Sequence, residues 1–253
     1  MITYFFIAGG AALLTVGCCW WYFRKQTTHI SLMHQQRVSE LEDMAWRAQM
    51  NPHFLNNCLN SINAIISQHD KPLATHYLTS LSRLTRNVLE YSQEATITLA
   101  DELDLVTQYL TLERLRFGED LLINISLASD IDTEKIWIPP LVLQPFVENA
   151  IIHGLLPRQA KGTIDLGITA QDAVLCCTIA DDGVGRKIAS DTADRTGAAK
   201  RSLGIAITQK RIALFNTSHR LTLPFAIRDL TDPNGTVKGT AVDLQFALVK
   251  DAG

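Results

Sequence analysis

Residues 98–127, TLADELDLVTQYLTLERLRFGEDLLINISL, change period part-way along, and that change sets the fold class. Thr98-Leu99-Ala100-Asp101 has capping-box spacing, in which a hydroxyl takes an amide three residues on, so it predicts a helix start. The helix closes near Gly118, the residue type that most easily ends one. Beyond it Leu121, Ile123, Ile125 and Leu127 fall at every second position, the period of a strand with one buried face.

The same alternation recurs at Ile164, Leu166 and Ile168, at Leu221, Leu223, Phe225 and Ile227, and at Val242, Leu244, Phe246 and Leu248. Val174 to Ala180 is a near-continuous apolar strand, so a sheet of about five strands is predicted. Asn234-Gly235 marks the turn between the last two. Helices are predicted at Pro140 to His153 and Gly204 to Phe215. Residues 119–253 therefore read as an α/β sandwich, one helical layer on a mostly antiparallel or mixed sheet. Strands and helices alternate too irregularly for a doubly wound fold.

N-terminal to the junction the period is helical. From Gln49 to Ile66, Leu55, Cys58, Leu59, Ile62, Ile65 and Ile66 share one side of a helix. His53, Asn56, Asn57, Asn60 and Asn63 share the other. Pro52 breaks a continuous helical pattern that runs from His29 to Met50. After His69-Asp70-Lys71-Pro72, Tyr77, Leu81, Leu84, Val88 and Tyr91 mark a second helix. Two amphipathic helices with a short connection make an antiparallel hairpin that cannot cover its own stripe. A second copy would complete a four-helix bundle, so a homodimer is expected. The class is α+β.

The N-terminus has a different character. Ile2 to Phe23 carries no charge and ends in Trp20-Trp21-Tyr22 followed by Arg24-Lys25, the pattern of a single membrane span with an aromatic belt and a basic cytoplasmic flank. A cleaved signal peptide would carry its positive charge ahead of the apolar run, and here the order is reversed. The expected organisation is a transmembrane anchor at 1–25, a helical dimerisation region at 26–118 and a catalytic domain at 119–253, with everything past the anchor cytoplasmic. A formal charge of −3 with scattered basic residues argues against nucleic acid as the ligand. The five cysteines lack zinc or disulfide spacings and read as reduced, buried thiols.

Three places carry chemistry. His53 stands on the asparagine-lined face, where an imidazole has no packing role and is a ready nucleophile near neutral pH. Asn57 lies one turn on, with its amide placed to orient a water or an acyl phosphate. On the predicted helix Gln144 to His153, Asn149 and His153 are four apart, with Glu148 beside them. A carboxamide is a neutral oxygen ligand, suited to Mg2+ that already carries phosphates and water. Asp181-Asp182-Gly183-Val184-Gly185 follows directly on a strand. Its glycines let the backbone approach a planar ligand, and an aspartate there can accept from an exocyclic amine such as that of adenine. Ser202-Leu203-Gly204-Ile205 reads as the start of a helix whose amides face phosphate, after a polar flap at Arg186 to Arg201.

Gln49 to Asn60, Pro139 to Leu155, Ala180 to Gly185 and Ser202 to Ile212, in this order, resemble segments of LytS/YehU-type sensor histidine kinases, whose catalytic domain belongs to the GHKL ATP-binding superfamily. The likeness covers roughly Ala45 to Val249. It implies that His53, in Asn-Pro-His-Phe-Leu, accepts phosphate; that Asn149, in Glu-Asn-Ala-x-x-His ending at His153, coordinates Mg2+; and that Asp181 contacts adenine in a loop shaped by Gly183 and Gly185. Gly204 matches a glycine at the flap's far hinge, and Gly239-Thr240 the pair that starts the closing strand. The family often has Phe where this chain has Asn56, Lys where it has Ile152, and Gly where it has Ser202. The lysine helps hold phosphate. Arg186, Lys187, Lys200, Arg201 and Arg211 are cations available to replace it, and the sequence leaves the choice open.

The resemblance thus implies a membrane-anchored, dimeric histidine kinase that binds ATP with Mg2+, phosphorylates His53 and passes the phosphoryl group to an aspartate of a response regulator, often of the LytTR type. Two alternatives stand beside it: a catalytically impaired dimeric scaffold of the same fold, suggested by Ile152 and Ser202, and a GHKL protein that hydrolyses ATP or phosphorylates serine.

Overall fold

Helix gives way to sheet where the period changes. In the computed structural model the described residues are 52–67, 70–117, 120–158, 160–186 and 195–250; of these, the side chains at 52, 53, 55 and 195–203 are not described. The expected anchor at 1–25 and the helix at 29–50 lie outside the described residues. Among the described residues no helix is long and apolar enough to cross a membrane. The described residues all belong to one unit.

Three helices come first: α1 (Pro52–Ser67), α2 (Lys71–Tyr91) and α3 (Leu99–Phe117). Asp70 caps α2 by accepting from Leu73 N at 3.0 Å, with Pro72 in the first turn, where a missing amide costs nothing. Thr98 starts α3 as its spacing predicts, its hydroxyl accepting from Asp101 N at 3.1 Å. Phe54, Cys58 and Ile62 of α1 are buried with Tyr77, Leu84 and Val88 of α2 and Tyr109 of α3. Leu59 and Ile66, predicted on the buried side of α1, are instead 53% and 54% exposed. The apolar arc of α1 is wider than the surface this one chain lays over it.

The five-stranded sheet has the order β2-β4-β5-β7-β6, with β2 (Leu121–Leu127), β4 (Gly162–Gln171), β5 (Val174–Asp181), β6 (Ala226–Thr231) and β7 (Val237–Ala247). β2 runs parallel to β4 and the other pairings are antiparallel, so the sheet is mixed. A two-stranded ribbon, β1 (Ile97–Thr98) with β3 (Trp137–Ile138), was not legible in the pattern. β6 begins later than Leu221, because Leu221 and Phe225 pack against the core from an irregular approach. Asn234-Gly235 makes the final turn, with Gly235 at φ 81. Alternation sorts the sheet's faces: Ile164, Leu166, Leu175, Cys177, Ile179, Leu244 and Phe246 are buried. The other face holds polar pairs such as Asn124 with Asp165 and Arg228 with Asp243. Cys58, Cys176 and Cys177 are free thiols, and Cys176 is only half-buried.

The helix predicted from Pro140 is shorter at its start. Leu141 has φ 56, a left-handed backbone that no α-helix contains, so α4 spans only Gln144–Asn149. It continues as a π-helix over Ala150–Leu155, in which Leu156 N reaches back five residues to Ile151 O. The last helix, α5, spans Arg195–Ser218. Asn216 ties it to the sheet: its amide donates to Gln245 O and its carbonyl accepts from Ala247 N, both at 2.8 Å.

Candidate functional site

The backbone closes around Asp181, the last residue of β5, which faces Ile164 on β4 and Thr240 on β7. Alternation along β5 turns its side chain to the buried face. Its Oδ1 accepts from Gly183 N at 2.9 Å. Burial outweighs this bond and the nearby Thr240 amide, pushing the carboxyl up to about 6. Three glycines make room for it. A Cβ on Gly154 would stand 2.5 Å from Asp181 Oδ1, one on Gly183 would overlap the Gly154 backbone, and one on Gly239, at φ 147, would overlap the Asp181 carbonyl. The π-helix delivers Gly154 here, and Gly154 O accepts from Val184 N at 3.0 Å.

Asp182 is committed differently. Its Oδ1 accepts from Thr163 N at 2.7 Å, and its Oδ2 pairs with Arg158 at 2.9 Å. It fastens the loop. Gly185, at φ 77, then lets the chain turn against Val237.

α4, which carries Glu148 and Asn149, runs on into the π-helix that brings Gly154 to the cradle. Asn149 Nδ2 donates to Pro145 O at 2.7 Å, leaving its carbonyl oxygen for a cation. Burial raises Glu148 to about 7, against a bond from Gln144 and with a contribution from Glu113. His153 sits half-buried in the π-helix, so the α-helical spacing that stacked it over Asn149 does not apply. Among the described residues no three His, Cys, Asp or Glu are grouped as a metal site. Mg2+ held by one carboxamide, nucleotide phosphates and water needs no such group, so the donor set fits the ion.

Gly204 departs from expectation. α5 begins at Arg195, so Ser202–Ile205 lies inside the helix rather than at its start, and Gly204 O accepts from Thr208 Oγ1 at 3.1 Å. The second half of the predicted flap is thus helical, while residues 187–194 lie outside the described set. Of the candidate phosphate cations, Arg186 is clasped by Asp229, at 3.0 Å and 3.2 Å. Arg211 donates to Pro140 O at 2.7 Å. Lys187 and the side chains of Lys200 and Arg201 lie outside the described residues.

His53 lies on α1, its side chain outside the described set. Asn56, Asn60 and Asn63 are exposed as predicted, and Asn57 is half-buried. Phe54, the residue after His53, packs against Tyr109 of α3 with ring centroids 4.9 Å apart and the rings tilted by 44°. Sequence reasoning missed Glu102, Gly154 and Arg158. Glu102 is fully buried, its two oxygens accepting from Leu141 N and Leu143 N at 2.7 Å each.

The family model described as histidine kinase matches residues 41–121, a stretch that takes in α1, α2 and α3. The chain is 31% identical over 210 residues to sensor protein LytS of Staphylococcus epidermidis, an alignment that takes in 83% of this chain and 34% of that protein. It is 33% identical over 177 residues to sensor histidine kinase YesM of Bacillus subtilis, covering 70% of this chain and 30% of that one. Residues 41–121 thus match the histidine kinase family, and the similarity to sensor histidine kinases extends over most of this chain. It spans about a third of the length of the curated relatives it matches. Among solved structures it is similar to the histidine kinase domain of the Erythrobacter litoralis EL346 blue-light activated histidine kinase, at 17% identity and a TM-score of 0.43, over 83% of this chain and 96% of that one.

Proposed function

We propose that this chain is the kinase part of a membrane-anchored, homodimeric sensor histidine kinase, which phosphorylates itself on His53 from ATP and passes the phosphoryl group to an aspartate of a response regulator of the LytTR type. The observation that carries the reading is the Asp181 cradle: a buried carboxyl beside three backbone segments, at Gly154, Gly183 and Gly239, that only glycine allows so close. Asp181 accepts from the adenine amine, and Gly183 and Gly185 let the loop lie against the base. Thr240, paired with Asp181 across the sheet, and His153 are proposed to contribute to nucleotide binding with Arg211, and Gly204 lies in the helix beyond the flap. Asn149 offers its carbonyl oxygen to Mg2+, which when bound neutralises phosphate charge. His53 supplies the nucleophilic nitrogen: a nitrogen–phosphorus bond forms as the bond from the γ-phosphorus to ADP breaks.

The test is incubation of the full chain with radiolabelled ATP and Mg2+. The expected label survives alkali, is lost in acid, and is absent from His53→Gln. An acid-stable label indicates serine phosphorylation instead. No label despite nucleotide binding leaves the impaired scaffold.

A further inference from the structure

Leu141 is the unusual residue in the approach to α4. A leucine at φ 56 holds a backbone conformation that residues with a side chain adopt only at a cost. Such a conformation persists only where its surroundings over-determine it. Glu102, reaching across from the first turn of α3, does so: Oε2 accepts from Leu141 N and Oε1 from Leu143 N, and the amides of Val142 and Gln144 also face the carboxylate. From the opposite side Arg211 of α5 donates to Pro140 O at 2.7 Å, with its charge near Glu102.

The turn needs this help for a reason visible in the sequence. The residue at the cap position of α4 is Leu143, whose side chain cannot accept a hydrogen bond; Pro145 in the first turn has no N–H, and Phe146 N turns back to Leu143 O at 3.1 Å, so the amides that need an outside partner are those at and just before the cap. Glu102 supplies that partner from another helix, through Leu141 N and Leu143 N. α4 is only six residues long, and Asn149 is its last. At 1.5 Å per residue Asn149 lies about 8 Å from the turn, too near for an error in the helix's starting direction to be absorbed. Tyr91 of α2 donates to Asp101 at 3.0 Å, so the residue beside Glu102 is itself held by the phosphoacceptor hairpin.

We propose that Glu102 is a positioning residue for the cation end of the nucleotide site: by holding the Pro140–Leu143 turn it sets where α4 presents the carboxamide of Asn149. The inference rests on the nucleotide reading above. The full chain, purified in detergent, is titrated calorimetrically with ATP, once with Mg2+ and once with EDTA. In the wild type Mg2+ tightens binding. Glu102→Gln keeps the shape and removes the charge; its affinity with EDTA stays close to wild type, while its affinity with Mg2+ falls about tenfold, as for other residues that orient a metal ligand. Glu102→Asp retains the charge, falls between the two, and decides the matter where Glu102→Gln does not fold. An Mg2+-supported affinity equal to wild type in a folded variant overturns the proposal. So does a loss of equal size with and without Mg2+ that tracks a lowered melting temperature, which marks Glu102 as a stability residue only. A wild-type chain that binds no ATP under either condition overturns the nucleotide reading itself.

Discussion

Asp181 and Glu102 are both buried acids at the mouth of a turn, yet they are furnished in different ways. Glu102 is saturated: its two oxygens face four backbone amides, and a guanidinium stands nearby. Asp181 accepts from Gly183 N and feels the Thr240 amide, and glycines replace the side chains that would otherwise close over it. The difference teaches how to separate a structural acid from a ligand-binding one. Burial is common to both, and what distinguishes them is whether the protein alone completes the acid's hydrogen bonding.

Glu102→Ala tests the saturated side and has the largest expected effect. It strands several buried amides, each costing roughly 1–3 kcal/mol, so the chain should lose at least about 3 kcal/mol in denaturant unfolding. An unfolding midpoint within error of wild type would erase the distinction.

Asp181→Asn tests the open side and should cost binding rather than folding. Loss of a charged acceptor lowers nucleotide affinity by roughly 1.5–3 kcal/mol, read by calorimetry. The pH dependence sharpens this. The folded carboxyl titrates at about 6, above the unfolded value of about 4. The folded state therefore holds the proton longer, and this group's contribution to stability is greatest below about pH 4, falls between pH 4 and 6, and is level above. Glu102 and Glu148 are raised by burial in the same direction, so the quantity to measure is the wild-type stability curve minus that of Asp181→Asn. Affinity for adenosine, which has no phosphate to titrate, should rise through pH 6 in the wild type and stay flat in the variant.

Arg158→Ala gives the smallest effect. The pair with Asp182 is about two-fifths exposed on both sides, so its loss should cost under about 1 kcal/mol. A large loss of nucleotide affinity there would show that Asp182, and not Asp181 alone, is set by the ligand.

Much of this was legible in the chain. Alternation located four of the five main strands, because a strand with one buried face has a period of two, and β5 showed as an apolar run; at the β2 edge the pattern overstated burial, since Ile125 and Leu127 are exposed. The Asp-x-Gly-x-Gly turn was legible because glycine is the only residue that permits those close approaches. Glu102 was invisible for a physical reason. It stands beside Asp101 in the first turn of α3, where an acid needs no explanation beyond the helix dipole, and its partners are main-chain amides some forty residues away that carry no sequence signature. Leu141 was missed in the same way, since its conformation comes from Glu102 and not from its own preference. The start of α5 was placed nine residues late, at Gly204, because the preceding stretch has few apolar residues to display a helical period.

The sheet's pairing also orders events in time. β4 and β5 are joined by Asp172 and Ala173 alone, and β6 and β7 by residues 232–236, so these hairpins close over short loops. β2 meets β4 only after residues 128–161 have been looped out, and β5 meets β7 only after residues 182–236 have. Closures of that length are the slow ones. Gly154 lies within the first long loop, and Gly239 joins Asp181 only through the second. A chain with both hairpins formed consequently still lacks the glycine cradle around Asp181, which is complete only when both long closures have been made.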